Sequence, residues 1–70
     1  MAPKRDLQAL WESLTSLGQH HILTGEPVSY STMKALERRN IFEFREGAWR
    51  PWSLTNLGVR LRTHAKRQAN

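Results

Sequence analysis

Cysteine is absent from this 70-residue chain. That excludes disulfides and thiolate zinc sites, the staples on which many small domains rely, and it suits a cytoplasmic protein. No apolar run approaches the roughly 20 residues needed to span a bilayer. No secretory leader is visible, so no membrane partner is expected. Glycines and prolines are few and scattered, and no internal repeat or low-complexity tract occurs. Acidic residues are missing altogether after Glu46.

That last absence makes the charge one-sided. Residues 1–46 hold six basic and six acidic side chains. Residues 47–70 hold Arg50, Arg60, Arg62, Lys66 and Arg67, so the whole net charge of +5 lies in the last third. A one-sided basic surface attracts polyanions through its field and through counterion release. A plainer reading is that basic residues near a helix C-terminus suit the helix dipole.

Catalytic patterns are missing too. There is no nucleophile elbow, no phosphate loop, and no carboxylate pair beside a histidine. His20 and His21 are neighbours, which in a helix diverge by about 100°, and no carboxylate stands near them at metal-ligand spacing. A chain this short buries only about 60% of the surface its unfolded form exposes, and a deep pocket of several hundred cubic ångströms is not expected. The chain is read as non-enzymatic, with no cofactor and no metal. Its core must come from aliphatic residues together with Trp11, Tyr30, Phe42, Phe44, Trp49 and Trp52.

Periodicity supplies the elements. Leu7, Leu10, Trp11, Leu14 and Leu17 form one amphipathic stripe, which predicts a helix over 6–17. Asp6 is its expected N-cap and Gly18 its stop. In residues 19–28, Ile22 and Leu23 are expected to be buried, and Thr24-Gly25-Glu26-Pro27 reads as a turn. Ser29 or Ser31 caps a second helix ending near Arg39, with Tyr30, Met33 and Leu36 inward. Asn40 suits the left-handed position that ends a helix. Residues 41–45 alternate as a strand, Glu46-Gly47 turns, and 49–55 returns as a second strand, interrupted by Pro51. Trp52 and Leu54 are expected to face the core beneath the first helix. Thr55 caps a last helix over 56–67, with Leu57, Leu61 and Ala65 inward. The expectation is one α+β domain over 6–67, with three main helices and one antiparallel hairpin. Residues 1–5 read as a lead-in and 68–70 as a frayed tail.

The segment Thr32-Met33-Lys34-Ala35-Leu36-Glu37-Arg38-Arg39-Asn40-Ile41-Phe42 resembles the end of a recognition helix in winged helix-turn-helix regulators. Trp52-Ser53-Leu54-Thr55-Asn56-Leu57-Gly58 is similar to the second wing strand and the cap of the closing helix in the same families. The resemblance spans about 29–66. It implies a small winged-helix-like domain that binds double-stranded DNA. Such a protein would be a transcriptional regulator or an accessory DNA-binding protein of phage or plasmid type. Ser29, Tyr30, Ser31, Lys34 and Arg38 would then contact bases, and Arg45, Arg50, Arg60 and Arg62 the backbone, those of the wing reaching phosphates or a minor groove. Such regulators often pair through their terminal helices, so a homodimer is expected. The sequence departs from the pattern at 18–28, where Gly18, Gly25 and Pro27 leave room for a positioning helix of one turn around His20–Leu23, or for none, with a short strand over 20–23 or a loop in its place. That departure, with Trp49 as a contact near the wing tip, supports the alternative: a protein-interaction module, such as a small inhibitor or adaptor, that retains a winged-helix skeleton.

Overall fold

A computed structural model describes residues 4–68, and the side chains of 6–68. Helix α1 spans Lys4–Glu12, α2 Ser16–Thr24 and α3 Tyr30–Arg38. Strands β1, Phe42–Phe44, and β2, Trp52–Leu54, form an antiparallel pair, and α4 spans Asn56–Gln68. The described chain is thus an α+β domain. Of the expected lead-in and tail, 1–3 and 69–70 lie outside the described residues, whereas Lys4, Arg5 and Gln68 are helical.

The expected single helix over 6–17 is instead two helices. Asp6 is not a cap but lies in the first turn of α1, where a carboxylate complements the helix dipole. The Ser13 hydroxyl donates back to the Leu10 carbonyl at 2.6 Å, a side-chain bond that competes with helix continuation. Thr15 then caps α2, its hydroxyl accepting from the Gly18 amide at 3.2 Å. The Gln19 side chain donates through Nε2 to the Trp11 carbonyl at 2.8 Å, satisfying one of the carbonyls that a helix end leaves open. Gly18 is therefore not a stop. It is buried in the first turn of α2, where an added Cβ would lie 3.4 Å from Leu36. Leu17, counted inward in the stripe, is 56% exposed.

Helix α2 is also the correction at 18–28. It has nine residues, so neither a single turn nor an absent helix describes this segment. Gly25 ends it at φ 75°, its amide donating to the His21 carbonyl at 2.8 Å, the left-handed cap that glycine adopts without a Cβ penalty. Ile22 is buried and Leu23 half-buried.

Ser29 caps α3, accepting from the Thr32 amide at 3.3 Å. Asn40, at φ 61°, takes the left-handed position after it. Tyr30 departs from expectation: it is 70% exposed, because it sits in the first turn, outside the cover of the neighbouring elements. The hairpin pairs Phe42 with Leu54, Glu43 with Ser53 and Phe44 with Trp52. Its strands are shorter than expected. β2 begins only after Pro51, which has no amide to give to a ladder, although its carbonyl accepts from the Arg45 amide at 2.7 Å.

The core joins Ile22, Met33, Leu36, Ile41, Phe42 and Leu61. Helix α4 locks onto the start of β1. The Thr55 hydroxyl accepts from the Gly58 amide at 3.0 Å and points its own hydrogen at the carbonyls of Asn40 and Ile41. Leu61 and Ala65 are buried and Leu57 half-buried. Trp52 is half-buried rather than enclosed. Its ring lies 4.8 Å from that of Phe44 and 6.4 Å from that of Tyr30, so its partners are β1 and the start of α3 rather than α1.

Candidate nucleic-acid interface

The first turn of α3 spends its hydroxyls on itself. Ser29 Oγ, besides capping, lies 3.1 Å from Ser31 Oγ and 2.9 Å from Thr32 Oγ1. Helical spacing then puts Ser31, Ala35 and Arg38 on one outward row, and all three are exposed. Lys34 and Glu37 follow Tyr30 on the adjoining row. The Lys34 ammonium lies 2.6 Å from the Glu37 carboxylate and 6.0 Å from the centroid of the Tyr30 ring. The hydrogen bond to Glu37, and then its charge, raise the Lys34 pKa above its ordinary value. Lys34 is therefore a committed cation, engaged within its own helix. Arg38 is in no ion pair among the described residues. Arg39 reaches back from the end of α3, its guanidinium donating to the Ser13 hydroxyl at 2.7 Å.

The hairpin loop carries the next cations. Arg45 lies 3.1 Å from Glu43, an exposed pair of the kind worth little in water. Arg50 is exposed and in no ion pair among the described residues. Beside it Trp49 is 96% exposed.

Helix α4 sends its arginines to different sides. Arg60 and Arg62 are two residues apart, so they diverge by about 200° around the helix. Arg60 lies with Leu7, Val59 and His64 on the α1 side. Arg62 instead lines an open groove of about 700 Å³ together with Arg50, Tyr30 and Trp52, over a floor that includes Met33 and Phe42. The chain thus builds a large concavity despite its length, because the groove is open to solvent rather than enclosed by a thick shell. No carboxylate residue lines it.

Of the residues singled out in the sequence, the fold brings Tyr30, Arg50 and Arg62 together and leaves Arg60 apart. Sequence reasoning missed His21, which also lines the groove. Its Nδ1 lies 2.6 Å from the Glu26 carbonyl, and its ring lies 5.1 Å from that of Phe42. Glu37, whose place among basic neighbours favours local ion pairs over any role on phosphate, is the tether of Lys34 at i,i+3. His20 is bonded to the Glu26 carboxylate at 2.9 Å, so His20 and His21 share Glu26, whereas His64 lies apart, bonded to Gln8 at 2.8 Å. No helix of the described residues is long and apolar enough to cross a membrane. Compared with known proteins, the chain matches no family model, no curated protein and no solved structure.

Proposed function

We propose that this protein is a small DNA-binding protein of the winged helix-turn-helix kind, acting in transcriptional regulation or as an accessory factor on double-stranded DNA. In this reading α2 positions, α3 enters the major groove, and the loop of 45–51 is the wing. The observation that carries it is the convergence of Tyr30, at the start of α3, and Arg50, in the hairpin loop, on one acid-free groove with Arg62. Recognition helix and wing then face one ligand, and cations stand where a phosphate backbone would lie. The nine-residue α2 supports the same reading, since it supplies the helix that braces α3 against the backbone. Arg38 is the exposed candidate for base edges, and Ser31 joins it by turning its hydroxyl from Ser29. Lys34 joins them only by leaving Glu37. Arg45, Arg50 and Arg62 serve the backbone, and Arg60 serves it only from the far side of α4.

Electrophoretic shifts with unrelated genomic duplexes in about 50 mM salt test this reading, since non-specific binding is strongest under such conditions. Retarded duplex is expected, with affinity falling linearly in log salt. Arg50→Gln is expected to lower that slope by about one unit for every sequence. Absence of any retarded fragment removes the proposal. A second reading, a protein-interaction module, is favoured by Trp49, whose ring stands in solvent beside the same groove-lining arginine. There Trp49→Ala would abolish capture of the partner while duplex binding is absent from the start.

A further inference from the structure

Two features of the groove exceed what a duplex reader needs. One is its apolar floor, and the other is the aromatic walls supplied by Tyr30 and Trp52, edge to face at 6.4 Å. A duplex presents phosphates and stacked base pairs, and neither fills an apolar recess. An unpaired nucleotide does: its base has two π faces for rings and its phosphate suits a guanidinium. We propose that the groove takes an unpaired nucleotide of the DNA strand that runs along α3, with the base against Tyr30 and Trp52 and the phosphate on Arg50 and Arg62.

Charge decides between occupants. Neither arginine is in an ion pair among the described residues, and no carboxylate residue lines the groove. An anion is therefore wanted at the mouth and an apolar ring below it. A second copy of this chain offers its exposed Trp49 as a ring, but Arg50 accompanies it, and like charges oppose that docking. Continuity decides the rest. Tyr30 belongs both to the groove and to the first turn of α3, so a strand end leaving α3 enters the groove without a break. This inference rests on the duplex reading for the path of the strand.

The test uses the full chain and three probes in about 50 mM salt: a blunt duplex, the same duplex with a short oligo-dT overhang, and an acidic peptide carrying one phenylalanine. Fluorescence anisotropy of the labelled probes reads affinity, and quenching of the protein's tryptophan emission reads stacking. The overhang is expected to improve affinity over the blunt duplex by about tenfold and to quench emission. Arg62→Gln, which also removes a backbone contact from the duplex, is expected to weaken the overhang probe more than the blunt one and so to reduce that ratio towards one. Arg60→Gln, on the far side of α4, weakens both probes alike and leaves the ratio standing. Equal affinity for blunt and overhang duplexes overturns the inference while the duplex reading survives. A ratio that persists in Arg62→Gln overturns it as well. Peptide binding that depends on Arg62, with no gain from the overhang, assigns the groove to an acidic protein segment instead. Failure of every DNA probe removes the duplex reading and this inference with it.

Discussion

Gly58 sits where α4 crosses the start of β1. A Cβ built there would lie 2.2 Å from the Ile41 carbonyl oxygen and 2.8 Å from Leu54 Cδ2. The first of these neighbours is backbone and cannot rotate away. Alanine normally gains about 1 kcal/mol over glycine inside a helix, but here overpacking costs about 1–3 kcal/mol or more. Gly58→Ala is therefore expected to lower stability, with a net loss of about 1–2 kcal/mol seen in urea or thermal unfolding. The tryptophans divide by the same logic of surroundings. Trp49 is 96% exposed, so Trp49→Ala should change stability by less than about 0.5 kcal/mol. Trp52 shares its surface with Phe44 and Tyr30 but stays half-buried. Its loss is expected to cost about 2 kcal/mol, short of the 3–5 kcal/mol range of a fully enclosed ring. Denaturant midpoints of the two variants check both values, and similar midpoints would refute this division.

Two elements begin on a threonine hydroxyl, and each cap has a measurable weight. Thr15 holds the first turn of α2 through one bond to the Gly18 amide. Thr15→Ala is expected to cost about 1 kcal/mol, and hydrogen exchange in 16–24 should accelerate before exchange in α4 does. The separation matters because that cap, with Ser13, divides α1 from α2 and so creates the helix that precedes α3. On α3 the element itself limits function. Lys34 is tethered to Glu37, so Glu37→Gln removes an anion and frees a cation on the proposed DNA face. Duplex affinity should rise, with a salt slope steeper by about one unit. The same pair sets a pH dependence. The Lys34 pKa is raised in the folded chain, so the pair's contribution is complete at neutral pH, where the lysine is charged in both folded and unfolded states. It is lost as pH climbs through the raised value. Stability of the protein and of Glu37→Gln should therefore differ at neutral pH and converge in strong alkali.

For the whole molecule, the side of α4 turned from the groove presents a small apolar contact among basic and polar residues. Val59 is 52% exposed and lies with half-buried Leu7 and the Arg60 stem between α1 and α4. Pairing of two copies through these terminal helices, which the winged-helix reading implies, would have to seat Val59 and Leu7 while holding Arg60 and Arg67 of the two copies apart; it would present two α3 faces to one duplex and gain affinity through linkage. Sedimentation at tens of micromolar is expected to give a dimer that Val59→Glu converts to a monomer. A monomeric parent protein would dismiss the pairing and leave the single-domain reading in place.

How much of this was legible in the sequence differs from element to element. The helix over α3, the left-handed Asn40 and the Thr55 cap on Gly58 rest on interactions within a few residues, and the hairpin on alternation either side of a local turn, so the chemistry of short segments announced them. The break between α1 and α2 was local too, in Ser13 and Thr15, but a leucine stripe of helical period ran across it. Leu14 packs on the core from the linker and Leu17 faces solvent, so matching spacing there did not mean one continuous face. The sequence by itself determined the kinds of element, their order from α3 onward and the basic excess after Glu46, because propensity, capping and charge are properties of short segments. Only the tertiary structure decided that Arg50 and Arg62 meet Tyr30 and Trp52 while Arg60 turns away. That outcome depends on how α4 is rotated against the hairpin, and the close approach of Gly58 to Ile41 sets that packing across a separation no local pattern encodes.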